Sequence, residues 1–214
     1  MEFIDQNLSE YAEAHTTAES ELLQKLNRQT YAEVLIPRML SGHLQGRFLS
    51  MISRLKSPKY ILEIGTYTGY SALCLAEGLQ ENGRLVTMDK NEELESMVLD
   101  YFSKSGFKDK IEFKCGNAMD MIPELEEGID LVFIDADKEN YLNYYKMVLP
   151  KMSKGGVVLA DNVLWSGKVV NESDVQNDEE TGALHAFNEF VQQDNRVTNV
   201  LVPIRDGILM AIKE

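Results

Sequence analysis

Asp135, Asp161 and Asn162 are the side chains whose types and placement most directly suggest chemistry. Each follows an apolar run: Leu131-Val132-Phe133-Ile134 leads into Asp135-Ala136-Asp137-Lys138, and Val157-Val158-Leu159-Ala160 into Asp161-Asn162-Val163. Runs of this kind are strands covered on both faces, and in open α/β sheets ligands bind beyond the carboxyl ends of the strands. Two neighbouring strands would deliver two carboxylates and one amide carbonyl to a single point. Hard oxygen donors without sulfur or imidazole suit Mg²⁺, or another divalent ion such as Mn²⁺ or Ca²⁺. Zinc is disfavoured, because His15, His43 and His185 are not paired at ligand spacing. The plainer reading of acidic residues at strand ends is helix capping, and these residues alone leave both readings open.

A second constellation is Ile61-Leu62-Glu63-Ile64-Gly65-Thr66-Tyr67-Thr68-Gly69-Tyr70-Ser71. An apolar strand ends on an acidic residue and a glycine, turns through a polar loop, and enters a helix. The dinucleotide turn needs glycine at its first, third and sixth positions. Gly65 fills the first, but Tyr67 and Tyr70 hold the others. The missing second glycine is the one that lets backbone approach a pyrophosphate. A nucleoside cofactor without phosphate lifts that demand, and S-adenosylmethionine (SAM) is the common one, so the turn points to methyl transfer. Asp89 closes the strand Leu85-Val86-Thr87-Met88, about 20 residues past the turn, the place of a carboxylate that grips ribose hydroxyls. Helix capping is the alternative for Asp89, and a satisfied structural carboxylate the alternative for Glu63.

The elements that must position these residues follow from periodicity. Strands are expected at 60–64, 85–88, 111–114, 130–134, 156–160, 198–203 and 207–212, and helices at 70–80, 91–104, 117–125, 139–151 and 181–193. Their alternation predicts an α/β, doubly wound, Rossmann-like sheet, mostly parallel with a C-terminal antiparallel strand. Ile204-Arg205-Asp206 supplies the short hairpin connection. Residues 1–57 read as N-terminal helices. One covers Thr17–Ala32 with Leu22, Leu23, Leu26 and Tyr31 as its apolar stripe. Another covers Gly42–Leu55 with Leu44, Phe48, Met51, Ile52 and Leu55 on one side. Residues 166–182, polar and acidic, are expected to form a mobile loop.

The 214 residues fit one domain, 1–214, with the 1–57 region as its helical cap. A formal net charge of −14 disfavours nucleic acid and anionic membrane surfaces as partners. Cys74 and Cys115, the two cysteines, are expected as buried free thiols in a reducing compartment. Met1-Glu2-Phe3-Ile4-Asp5 lacks the basic start and apolar run of a leader, and no stretch is long enough to span a bilayer. A cytoplasmic protein is expected.

With these residues in view, the chain resembles the cation-dependent SAM O-methyltransferases, the group of catechol and caffeoyl-coenzyme A O-methyltransferases, and within it the small bacterial members. The matching segments are Met39-Leu40-Ser41-Gly42, Glu63 to Ser71, Asp135-Ala136-Asp137-Lys138-Glu139-Asn140-Tyr141, and Asp161-Asn162-Val163-Leu164-Trp165-Ser166-Gly167. The likeness runs from about Pro37 to the C-terminus. It implies SAM contacts at Met39, Ser41, Glu63, Gly65, Thr66, Ser71, Asp89, Ala118, Asp137 and Tyr144. It also implies a divalent cation on Asp135, Asp161 and Asn162, a general base at Lys138, and a homodimer built through the N-terminal helices. Trp165, just past the ligand segment, is expected to wall the aromatic acceptor or to pack as a lid residue.

The function expected is Mg²⁺-dependent methyl transfer from SAM to a hydroxyl of a catechol-type small molecule. The same chemistry on a caffeoyl-coenzyme A ester is the first alternative, with Lys25, Arg28 and Arg38 as candidate phosphate partners. A non-catalytic SAM-binding module is the second. A nicotinamide-dependent oxidoreductase is disfavoured by the glycine spacing, and a nucleic-acid methyltransferase by the charge.

Overall fold

The computed structural model describes residues 5–214. The first four, on which the expectation of a leaderless start largely falls, lie outside the described residues. The chain forms two compact units, one of Gln6–Asn117 and one built mainly of Ala118–Glu214. Seven strands make one mostly parallel sheet.

In the first unit, helices α1 (Gln6–Ala14), α2 (Glu21–Glu33) and α3 (Gly42–Lys56) precede β1 (Tyr60–Ile64), α4 (Tyr70–Ala76), β2 (Arg84–Asp89), α5 (Glu95–Lys104) and β3 (Ile111–Cys115). Its strands are parallel in the order β3-β2-β1, with Glu63 beside Thr87 and Asp89 beside Cys115. β1 is buried along its whole length, as a strand covered on both faces is, and Glu63 is buried with its apolar neighbours. The Ser20 hydroxyl caps α2 by accepting the Leu23 N–H at 3.3 Å, satisfying one of the donors that a helix start leaves open.

The second unit carries α6 (Ala118–Met121), β4 (Ile129–Ile134), α7 (Tyr141–Val148), β5 (Met152–Asp161), α8 (Glu172–Asn177), α9 (Glu179–Gln193), β6 (Val197–Val202) and β7 (Ile208–Lys213). Here the order is β4-β5-β7-β6, and β7 runs antiparallel to both its neighbours. The C-terminal hairpin and antiparallel strand read from the sequence are present.

Three expectations are corrected. Residues 166–182 are ordered as a 3-10 segment through Val170, then α8 and the start of α9. Two side-chain caps hold this region: Asn171 accepts the Ser173 N–H and Asp178 the Thr181 N–H. Lys168 adds an ion pair to Asp178 at 2.7 Å, so polar residues that read as loop chemistry act as caps. Cys115 is exposed, while Cys74 is buried. Tyr31 is exposed rather than part of the buried stripe of α2.

In α3 the side that packs is not the most apolar one. Its buried residues are Gln45, Gly46, Leu49, Ser50 and Ser53, whereas Met51 and Leu55 are 58% and 77% exposed. The side facing α4 is chosen by close approach. A Cβ on Gly46 would lie 2.6 Å from the Tyr70 ring, and one on Gly78 would lie 2.2 Å from the Ser53 carbonyl carbon. Small residues permit that distance, and their polar atoms are matched. Ser53 donates to the Leu75 carbonyl at 2.6 Å and Ser50 to Glu77 at 2.6 Å. Arg47 closes the interface with a two-pronged bond to Glu77 at 3.0 and 2.7 Å.

Candidate functional site

The glycine turn belongs to the first unit. β1 passes at Gly65 into a backbone with φ 101°, and its N–H is held by the Met88 carbonyl at 2.9 Å. Gly69 has φ 88°, and a Cβ there would meet the Phe102 ring at 2.7 Å. Both glycines are thus required by backbone geometry, and Gly69 by space as well. Between them Thr66 is buried, its hydroxyl 2.5 Å from that of Thr87, which donates to Glu63 at 2.5 Å. Glu63 is 0% exposed, so the carboxylate expected to reach SAM is enclosed on an interior strand and orders Thr87 and Thr66.

Asp89 is more open. Its two oxygens accept the backbone N–H groups of Tyr67 at 2.7 Å and Asn91 at 2.9 Å. This aims the carboxylate and shapes the turn at Tyr67, whose φ is 49°, while leaving lone pairs for a ligand. Ser71 is buried in the first turn of α4, Ser41 is buried at the start of α3, and Met39 is exposed in the 3-10 turn Pro37–Met39. The structure therefore brings Glu63, Gly65, Thr66 and Asp89 together around one turn.

The second unit gathers the other set. Ile134 of β4 pairs with Ala160 of β5, so Asp135 and Asp161 leave adjacent strands in register. Lys138, 6% exposed at the start of a 3-10 turn, points its ammonium at three acceptors. These are Asp135 Oδ1 at 3.1 Å, Asn162 Oδ1 at 3.1 Å and the Tyr141 hydroxyl at 2.5 Å. Tyr141 in turn donates to the Asp161 carbonyl at 3.0 Å. Burial, with the Asp135 and Asp161 charges adding, pushes the Tyr141 phenol well above its ordinary range, so it stays protonated. Asp161 is 3% exposed, and its Oδ1 accepts the Asn162 N–H at 2.8 Å. Asn162 itself is left-handed, φ 58°, a conformation asparagine tolerates better than most residues.

The chemistry of this donor set fits a divalent cation. Two of the three oxygen donors singled out from the sequence already converge on one positive charge, the Lys138 ammonium. Among the described residues no group of three His, Cys, Asp or Glu side chains is arranged to hold a metal, so the candidate set rests on the Asn162 amide as its third member. Asp137 and Tyr144, expected as cofactor contacts, are bonded to each other at 2.7 Å, and Asn140 holds the second Asp137 oxygen. Ala118 is buried at the start of α6.

The segment after Asn162 is strained and clamped. Trp165, Ser166 and Gly167 are consecutive left-handed residues with φ 46°, 55° and 81°. The β6–β7 turn holds them: Asp206 accepts the Ser166 N–H at 2.5 Å through its side chain and the Leu164 N–H at 2.9 Å through its carbonyl. Leu164 packs against Gly207, where a Cβ would lie 2.5 Å from its Cγ. Such strain persists only where surroundings over-determine it. The Trp165 ring lies 5.7 Å from the Lys138 nitrogen, and its indole N–H is buried without a hydrogen-bond partner.

Sequence reasoning missed Thr87, Tyr141 and Asp206. Tyr141 had a readable signal, its i+3 spacing from Lys138. Thr87 and Asp206 act through contacts distant in sequence, which no local pattern marks.

The chain matches the family described as O-methyltransferase over residues 13–214. The chain belongs to the O-methyltransferase family. It is 36% identical over 175 residues to caffeoyl-CoA O-methyltransferase 1 of Eucalyptus globulus, covering 78% of this chain and 71% of that one. Caffeoyl-CoA O-methyltransferase of Medicago sativa is 36% identical over 174 residues, covering 77% and 70%. Among solved structures, the O-methyltransferase of Bacillus cereus in complex with SAH aligns with TM-score 0.89 and 28% identity over 97% of each chain. TomG of Streptomyces achromogenes, in complex with SAM, aligns with TM-score 0.88 and 28% identity, covering 97% of this chain and 96% of that one. The resemblance read from the glycine turn and the two aspartate segments is borne out. The fold is the Rossmann-like sheet of these O-methyltransferases, mostly parallel with one antiparallel strand near its edge. No helix among the described residues is long and apolar enough to cross a membrane.

Proposed function

We propose that this O-methyltransferase moves the methyl group of SAM to one hydroxyl of a vicinal diphenol, with a divalent cation held by Asp135, Asp161 and Asn162. The observation that carries the reading is the convergence of Asp135 and Asn162 on the Lys138 ammonium at the ends of two in-register strands. When bound, the cation lowers the acidity threshold of a coordinated phenol and fixes its orientation.

The chain's own groups do the rest. Asp89, already aimed by two backbone N–H groups, would accept the ribose hydroxyls, and Thr66 and Gly65 would shape the turn under the cofactor. Glu63 acts from within, by ordering Thr87 and Thr66. Lys138, in its neutral form, takes the acceptor proton onto Nζ. The oxygen then forms its bond to the methyl carbon as the carbon–sulfur bond breaks and its electron pair stays on sulfur. Holding two reactants in line can supply about 7–11 kcal/mol, which makes rigid placement of Asn162 and Trp165 the main demand on the fold. Trp165, beside Lys138, is proposed as one wall for the aromatic ring.

The names of the relatives favour a second reading, a caffeoyl-coenzyme A ester as acceptor. Lys25, Arg28 and Arg38 are exposed and would be its phosphate partners, whereas the net charge of −14 favours the small free diphenol. Initial rates with labelled SAM on caffeate and on its coenzyme A ester decide between them. A free-acid preference supports the first reading, an ester preference the second, and no transfer to either removes both.

A homodimer is part of the proposal. Leu8 and Tyr11 on α1 and Met51 and Leu55 on α3 are large, apolar and exposed, and covering them would stabilise association. Light scattering should return twice the 24.3 kDa chain mass; the single mass would refute it.

A further inference from the structure

The Lys138 ammonium has three hydrogens and three acceptors, and two of those acceptors are proposed cation ligands. A divalent cation on Asp135 and Asn162 would compete for the same oxygens and repel the ammonium. The third acceptor, the Tyr141 hydroxyl, is outside the ligand set. It is fully buried, its ring stands edge-on to Phe187 at 5.6 Å, and its proton is committed to the Asp161 carbonyl. Neither the ring nor the hydroxyl has room or reason to turn away.

We propose that Tyr141 is the positioning residue of this site: its hydroxyl is the one partner Lys138 keeps when the cation is bound, and it holds Nζ facing the acceptor oxygen. The inference rests on Lys138 as the proton acceptor. It assigns the phenol a dual role as a buried strut. Its oxygen receives an N–H from Lys138, and its O–H ties that lysine to the backbone of β5, the strand that supplies Asp161. Lysine is a long, flexible side chain with three rotatable donors, so burial alone does not set the direction of its nitrogen. The hydrogen bond at 2.5 Å does.

The test is Tyr141→Phe, which keeps the ring against Phe187 and removes only the hydroxyl, combined with Lys138→Met in a double-mutant cycle. Turnover is measured with Mg²⁺ and whichever of caffeate and its coenzyme A ester the parent protein methylates. Trp165, the single tryptophan, supplies a second readout by fluorescence titration with Mg²⁺. In Tyr141→Phe we expect kcat to fall about tenfold to a hundredfold, the scale of a misplaced reacting group. KM for SAM and acceptor, and the Mg²⁺ midpoint, should stay where they are. In the Lys138→Met background the same change should cost nothing further. Full turnover in Tyr141→Phe, or an undiminished loss in the Lys138→Met background, would overturn the proposal. So would a rise in the Mg²⁺ midpoint that accounts for the whole loss, because the phenol would then act only through Asp161. Full turnover in Lys138→Met alone would instead remove the base assignment beneath it.

Discussion

Replacing Asp161 with alanine is expected to abolish methyl transfer while SAM still binds. Asp161 is the most buried of the proposed cation ligands, and it has two tasks. Its carboxylate supplies a charged oxygen donor, and its Oδ1 fixes the N–H of Asn162, the next ligand. The alanine variant loses both, and the left-handed backbone at Asn162 loses one of its restraints. If the cation supplies about 4 kcal/mol of transition-state stabilisation, the loss is on the order of a thousandfold in turnover. The turn residues proposed to hold SAM, Gly65, Thr66 and Asp89, lie in the other compact unit and make their own hydrogen bonds. Calorimetric titration with SAM should therefore match the parent protein. Lost SAM binding in Asp161→Ala, or turnover near the parent value, would contradict the ligand assignment.

The second large effect is on stability. Arg47 and Glu77 join α3 to α4 with side-chain exposures of 13% and 16%, and Ser50 and Arg54 also bond to Glu77. Removing one member of a buried pair leaves the other charge uncompensated, at a cost of about 3–5 kcal/mol. Arg47→Ala should lower the thermal midpoint by about 10 °C for a chain of this size. The pH dependence gives a sharper check. Burial alone would raise the Glu77 pKa, but the bonds from Arg47 and Ser50 outweigh it and hold the carboxyl below its ordinary value. A folded value below the unfolded one means the stabilisation is complete above the unfolded value, about 4.3, and is lost as pH falls through the folded value. The difference between parent and Arg47→Ala should thus be full at neutral pH and shrink in acid. An equal difference at pH 7 and pH 3 would show that the salt bridge is not its source.

The legible part of the fold is the part written in local periodicity. β1 is legible to the residue, and every other strand to within a few, because most are short, largely apolar runs bounded by turn residues. The glycine turn was legible because Gly65 and Gly69 have positive φ that other residues resist. The packed face of α3 is not legible in the sequence, because it is selected by how closely α4 can approach. Gly46, Ser50 and Ser53 are weak hydrophobic signals but good close-packing surfaces. The 166–182 segment was misread because Asn171 and Asp178 look alike as loop residues and as helix caps. At the site, Asp135, Lys138, Asp161 and Asn162 were marked by strand ends and by resemblance. Glu63 was marked too, but its full burial under Thr87 was not, since register between strands is invisible in either strand alone.

The most direct measurement is methyl transfer from labelled SAM to catechol with Mg²⁺, repeated in EDTA and repeated on phenol, which has a single hydroxyl. The expected result is transfer to catechol that EDTA stops and Mg²⁺ restores, with none to phenol. Equal rates in EDTA, or equal transfer to phenol, would contradict a cation that presents two adjacent hydroxyls.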